Sequence, residues 1–79
     1  MSPTVLRVRA FRFYFFPREE TRPHVHVEHG AGEAKIWLEP AVELAARIGM
    51  SEARAEEAVR LAKEHERDIR AAWQTHFGR

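Results

Sequence analysis

The sequence predicts an α+β fold: an antiparallel sheet of about four strands, followed by a short helix and a long C-terminal helix. Three observations carry this. The chain changes character once, at Glu39-Pro40: β-branched and aromatic residues alternating with polar ones give way to Ala, Glu, Arg and Leu. Strands first and helices second is the α+β order. The strand-like segments follow one another closely, which favours hairpins and antiparallel pairing. No repeat, linker or low-complexity tract divides the 79 residues, so 1–79 reads as a single domain.

Taken in order, the first strand is Thr4–Arg9, with Leu6 and Val8 on one face against Val5, Arg7 and Arg9. Phe11–Phe16 follows, with Phe11, Phe13 and Phe15 opposite Arg12, Tyr14 and Phe16. "PREETRP" (17–23), bracketed by prolines, is a polar loop. His24–Glu28 is the third strand, "HGAG" (29–32) a turn, and Glu33–Leu38 the fourth strand. Pro40 suits the first position of a short helix running to about Ile48, with Gly49 as its stop. Ser51 is the N-cap of a second helix that meets no breaker before Gly78, which gives about 26 residues and about 39 Å. Its apolar stripe (Ala55, Ala58/Val59, Ala62, Ile69, Ala72/Trp73, Phe77) is mostly small residues. Such a helix is weakly anchored alone, so a partner chain or a homo-oligomer is expected to cover part of it.

Composition narrows the function classes. A chain this short buries only about 60–65% of its unfolded surface. The absence of cysteine excludes disulfides and thiolate zinc sites and agrees with a reducing, cytoplasmic setting. No apolar run approaches the roughly 20 residues that span a bilayer, and the first residues lack the apolar core of a secretory signal, so no membrane association is expected. Net charge is only +1, but 11 of the 13 basic residues are Arg, the side chain suited to planar phosphate and carboxylate contacts. Residues 1–16 hold Arg7, Arg9 and Arg12 and no acid.

"RPHVHVEHG" (22–30) concentrates three of the five histidines. Strand alternation puts His24, His26 and Glu28 on one face and Val25 and Val27, the natural core, on the other. With the phenylalanines and Ala34/Ile36/Leu38 also inward, the outer face collects Arg7, Arg9, Arg12, Tyr14, Phe16, His24, His26, Glu28, Lys35 and Trp37. Cations interleaved with aromatics are what a single-stranded nucleic-acid platform uses; a face covered by another chain would carry the same residues. The two imidazoles lie roughly 6–7 Å apart along the strand, near enough for both to serve one substrate as acid and base. In a metal-free ribonuclease, His24 and His26 would move protons while Arg12 and Lys35 hold phosphate. A zinc site on His24 and His26 would need a third ligand from elsewhere, because Glu28 lies about 13 Å along the strand from His24; no metal or cofactor is expected. His65 borders the helix stripe. It is either a hydrogen-bonded edge residue or a third catalytic group, and in the second case the helix end must wrap over the sheet.

The opening "SPTVLRVRAFRFYFF", the block "RPHVHVEHGAGEAKIWLEP" and the tail "LAKEHERDIRAAWQTHFG" together resemble the bacterial DUF4160 family over essentially the whole chain. Ser2 and Phe16-Pro17-Arg18 depart slightly from the family pattern. The resemblance implies the toxin of a type II toxin–antitoxin pair whose antitoxin is a DUF2442-type protein. It marks His24, His26, Glu28, Lys35, Trp37, His65 and Trp73. The expectation is a toxin acting as a small metal-independent ribonuclease, with His24, His26 and His65 catalytic and Arg12, Tyr14, Lys35 and Trp37 binding RNA. The alternative is a non-catalytic module whose sheet face or long helix docks a protein or a nucleic acid.

Overall fold

The computed structural model describes residues 4–16 and 22–78; residues 17–21 of the expected polar loop, like Ser2, lie outside them. Five strands, β1 (Thr4–Val8), β2 (Phe11–Tyr14), β3 (His24–His29), β4 (Gly32–Trp37) and β5 (Glu43–Ile48), precede helices α1 (Glu52–Glu64) and α2 (Glu66–Phe77). The strands form one antiparallel meander in chain order. The α+β class therefore stands, with five strands rather than four.

Tight turns explain why neighbours in sequence are neighbours in the sheet. Val8 pairs with Phe11 and His29 with Gly32, leaving two-residue connections. Arg9 (φ 53°) and Gly30 (φ 59°) take the first position of these turns in the left-handed region, the sign pattern of the II′ turns that match strand twist. Two register shifts interrupt the ladders. Val5 is the extra residue of β1 and Ala45 that of β5.

Both helices pack on one face. Phe11, Phe13, Phe15, Val25, Val27, Ile36 and Leu38 point inward, at most 2% exposed, and meet Ala55, Ala58, Leu61, Ala62, Ile69 and Trp73. The sheet supplies the bulk and α1 the small residues, so the helix backbone can sit close over the phenylalanines. The predicted stripe is the buried one, with Leu61 added.

Two expectations are corrected. Residues 40–48 do not form a helix: 43–48 are β5, and the Glu39-Pro40 bond is cis. The helical propensity of "ELAARI" yields because nine residues barely nucleate a helix, whereas pairing with β4 satisfies a full strand of backbone donors and acceptors. The long helix is also bent once, at His65 (φ −110°, ψ 20°). The hydrogen-bond ladder runs through the bend, from His65 N–H to the Leu61 carbonyl and from Ile69 N–H to the His65 carbonyl. No Pro or Gly lies there. The bend follows the packing instead: α1 lies against β4 and β5, and α2 reaches β1 on the far side. Ser51 caps α1 by accepting the Arg54 N–H at 3.1 Å, and Gly78 ends α2 at φ 74°.

The β5–α1 corner depends on a close approach. A Cβ on Gly32 would sit 2.4 Å from the Gly49 carbonyl oxygen, closer than any side chain tolerates. Gly32→Ala should therefore lower unfolding stability by about 1–3 kcal/mol, the range for an overpacked site, in urea melts followed by circular dichroism.

Candidate nucleic-acid interface

Pairing register arranges the helix-free face into rows. One row runs Arg12, Glu28, Glu33, Ile48, and the next Tyr14, His26, Lys35, Ala46. In the third, His24 opposes Trp37, which opposes Glu43. The face forecast from strand alternation is the one formed, except at two positions: the Arg9 guanidinium sits 3.4 Å from Glu57 of α1, and His24 is buried.

Aromatic rings and cations interlock there. Tyr14 stacks on His26, with centroids 5.5 Å apart and planes at 24°, and Phe16 packs against both at 5.4 and 4.4 Å. Arg12 lies 4.6 Å over Tyr14, Lys35 4.6 Å over Trp37 and Arg22 3.8 Å over Trp37. Arg12 is further tied to Thr4 (2.8 Å) and Glu28 (3.3 Å), and Arg22 donates to the Glu39 carbonyl at 2.9 Å. A cation resting on a ring is ordered before a ligand arrives, which lowers the entropy lost on binding.

The two histidines of the pair differ in role. Their rings meet edge to face at 5.1 Å, closer than the roughly 6–7 Å that strand rise alone gives. His24 is 1% exposed. Its Nδ1 is bonded to the Arg22 carbonyl at 2.7 Å, and its ring is enclosed by Trp37 (5.8 Å) and Trp73 (5.4 Å). His26 is half-buried, near the middle of the face. His24 thus shapes the site from behind, and His26 is the imidazole a ligand can touch. His29 lies on the inner face against Phe11 (4.7 Å).

The end of α2 does close over the sheet, at the start of β3 and the end of β4, but it brings Trp73 rather than His65. Arg70 clamps this closure by donating to the Leu38 carbonyl and the Glu39 carboxylate and, through Nε, to Glu66 at 2.8 Å. These partners hold its guanidinium more firmly protonated, the Glu66 hydrogen bond foremost. His65 sits at the helix bend, eight residues before Trp73, or about 12 Å along a helix. The structure therefore groups His24, His26, Arg12, Tyr14, Lys35 and Trp37 and leaves His65 outside. Sequence reasoning missed Arg22 and Glu33. Arg22 precedes any periodic segment; Glu33 was legible by parity, sharing its face with Lys35 and Trp37. Among the described residues, no group of three or more His, Asp or Glu stands ready to hold a metal, and no helix is long and apolar enough to cross a membrane.

Residues 10–74 match the domain of unknown function DUF4160. No curated protein and no solved structure matches the chain.

Two measurements follow. His24→Ala empties an enclosed site and should cost about 2–4 kcal/mol in stability, while His26→Ala should stay within about 1 kcal/mol of wild type; similar losses would contradict the division of roles. Tyr14, 5% exposed, has its hydroxyl pKa raised above 10.0 by burial, then by Glu33 and Glu28, with Arg12 opposing. The folded state holds this proton more tightly. Its contribution to stability is therefore complete below the unfolded value of 10.0 and is lost as pH rises through the higher native value. Because the chain has one tyrosine, absorbance at 295 nm should titrate above 10.0 in the native protein and return to 10.0 in denaturant.

Proposed function

Starting from the fact that the chain belongs to the DUF4160 family, we propose that it binds single-stranded RNA on the open face of its sheet, as the toxin of a toxin–antitoxin pair. The observation that carries the binding reading is the set of three cations resting on aromatic rings of the sheet face opposite the apolar core. Unpaired bases stack on aromatic platforms whatever their sequence, and cations beside them take the phosphates. Arg12, Arg22 and Lys35 are the phosphate contacts, and Phe16 and Trp37 the stacking surfaces. Tyr14 keeps its proton well past neutrality and serves as a hydrogen-bond donor. Glu28 and Glu33 keep the face from being strongly basic, so the binding is of moderate strength and rests more on stacking than on charge.

Cleavage is the second reading, favoured by His26 standing between Tyr14 and Lys35. An imidazole there can take the 2′-hydroxyl proton as the 2′-oxygen attacks phosphorus; the P–O5′ bond breaks to leave a 2′,3′-cyclic phosphate, the 5′-oxygen takes a proton from water, and Lys35 faces the phosphate. His24, enclosed behind it, is a positioning residue in this reading, and His65 has no part. The antitoxin of DUF2442 type belongs to the proposal through the family resemblance alone.

Fluorescence anisotropy with a labelled oligouridine tests the binding reading. Wild type should bind, and Trp37→Ala should weaken binding by about 1–3 kcal/mol, the worth of one stacked base. Affinity should fall with salt at a slope of about 0.7 per phosphate contacted. Undiminished binding by a Trp37→Ala, Lys35→Ala variant would move the site elsewhere. Labelled RNA incubated with and without chelator tests cleavage: cutting that survives chelator and disappears in His26→Ala supports it, and cutting that survives in His26→Ala rejects the role of His26. Growth on expression alone and together with a DUF2442 protein tests the pairing.

A further inference from the structure

Beside the stacking rings, the open face holds a groove whose chemistry differs from the rest. It lies over the small side chain of Ala46 and is lined by Phe16, His26, Glu33, Lys35 and Ile48, with Ala34 and Arg47 contributing to its walls. Its volume is about 210 Å³, below the roughly 300–1,000 Å³ of sites that enclose a whole drug-sized ligand. It suits one planar ring system. Ile48 is 73% exposed, the most exposed large hydrophobic among the described residues, and it stands directly opposite Glu33 across the β4–β5 ladder. Phe16, 38% exposed, also lines the groove. An apolar surface and a carboxylate are thus neighbours on one wall, with Lys35 and His26 one row away.

Glu33 forms no ion pair among the described residues. It lies in the row of Arg12, Glu28 and Ile48, next to the row that holds Tyr14, His26 and Lys35. An ionised carboxylate accepts hydrogen bonds and donates none. Among the four RNA bases, guanine alone presents two adjacent donors on its Watson–Crick edge, N1–H and the N2 amino group, and these match the two carboxylate oxygens. Adenine sets an acceptor beside its single amino donor, cytosine does the same, and uracil flanks its one N–H with carbonyls. Each of those repels one carboxylate oxygen.

We infer that this groove reads one unpaired guanine. The base lies against Ile48 with its Watson–Crick edge on Glu33, and its phosphate points to Lys35 and His26. The edge is free only in a single strand, so duplex RNA is excluded from the groove. The inference rests on the binding reading above and adds base selectivity to it.

The test uses labelled eight-nucleotide oligouridines carrying one central G, A or C, measured by anisotropy against the full chain. Wild type should favour the G-containing strand over the others by about ten-fold, within the range of a good bidentate base contact. Glu33→Gln should abolish the preference, because an amide offers one acceptor where the carboxylate offers two. The same change should raise affinity for plain oligouridine, because a negative charge leaves the face. Glu33 is exposed, and an unchanged melting temperature verifies that the variant folds. Equal binding of all four strands by wild type overturns the guanine inference and leaves the binding reading standing. A G preference that persists in Glu33→Gln overturns Glu33 as the reader. No binding of any strand overturns both.

Discussion

The closure of α2 over the end of the sheet is the constraint on which the arrangement of the open face depends. Arg70 reaches from α2 to the Leu38 carbonyl and Glu39, and Trp73 wedges between Phe15, Phe77 and His24. Through His24, whose ring meets Trp73 on one side and His26 and Trp37 on the other, helix packing fixes the position of groups on the opposite face. The indole N–H of Trp73 is buried and has no hydrogen-bond partner among the described residues; an unpaired donor of this kind costs about 1–3 kcal/mol. The ring contacts on three sides offset that loss, since a buried aromatic of this size dominates local packing.

One-sided packing separates two chemistries within a thin sheet. The inner face is apolar and close-packed, and it carries the stability. The outer face holds the ring–cation contacts of Arg12, Arg22 and Lys35 and the groove over Ala46, and its order derives from the strands beneath it. Side chains on rigid strands, locked by neighbouring rings, hold position better than side chains on loops. A domain too small for a second core can in this way present a defined surface.

Much of this was legible in the residues. Period-two alternation in Phe11–Phe16 and His24–Glu28 assigned the faces correctly, and Ser51 and Gly78 marked the helix ends, because each rests on a local rule. What escaped notice depended on distant contacts. "VELAARI" carries both a helical composition and an alternation of Val42, Leu44, Ala46 and Ile48; the choice between them was made by β4, which lacked a partner. The bend at His65 has no local breaker and arises from the shape of the sheet. His24 and His26 are equivalent by strand parity, and only the arrival of Trp73 buries one and leaves the other accessible.

The extra residues Val5 and Ala45 sit in β1 and β5, the two outermost strands. A strand with an inserted residue loses the regular spacing of donors and acceptors that another chain would copy, and it twists away from flat pairing. Both borders of the sheet are therefore guarded against accretion of further strands. Association with other molecules is directed onto the broad surface, where side chains rather than backbone set the terms of selection.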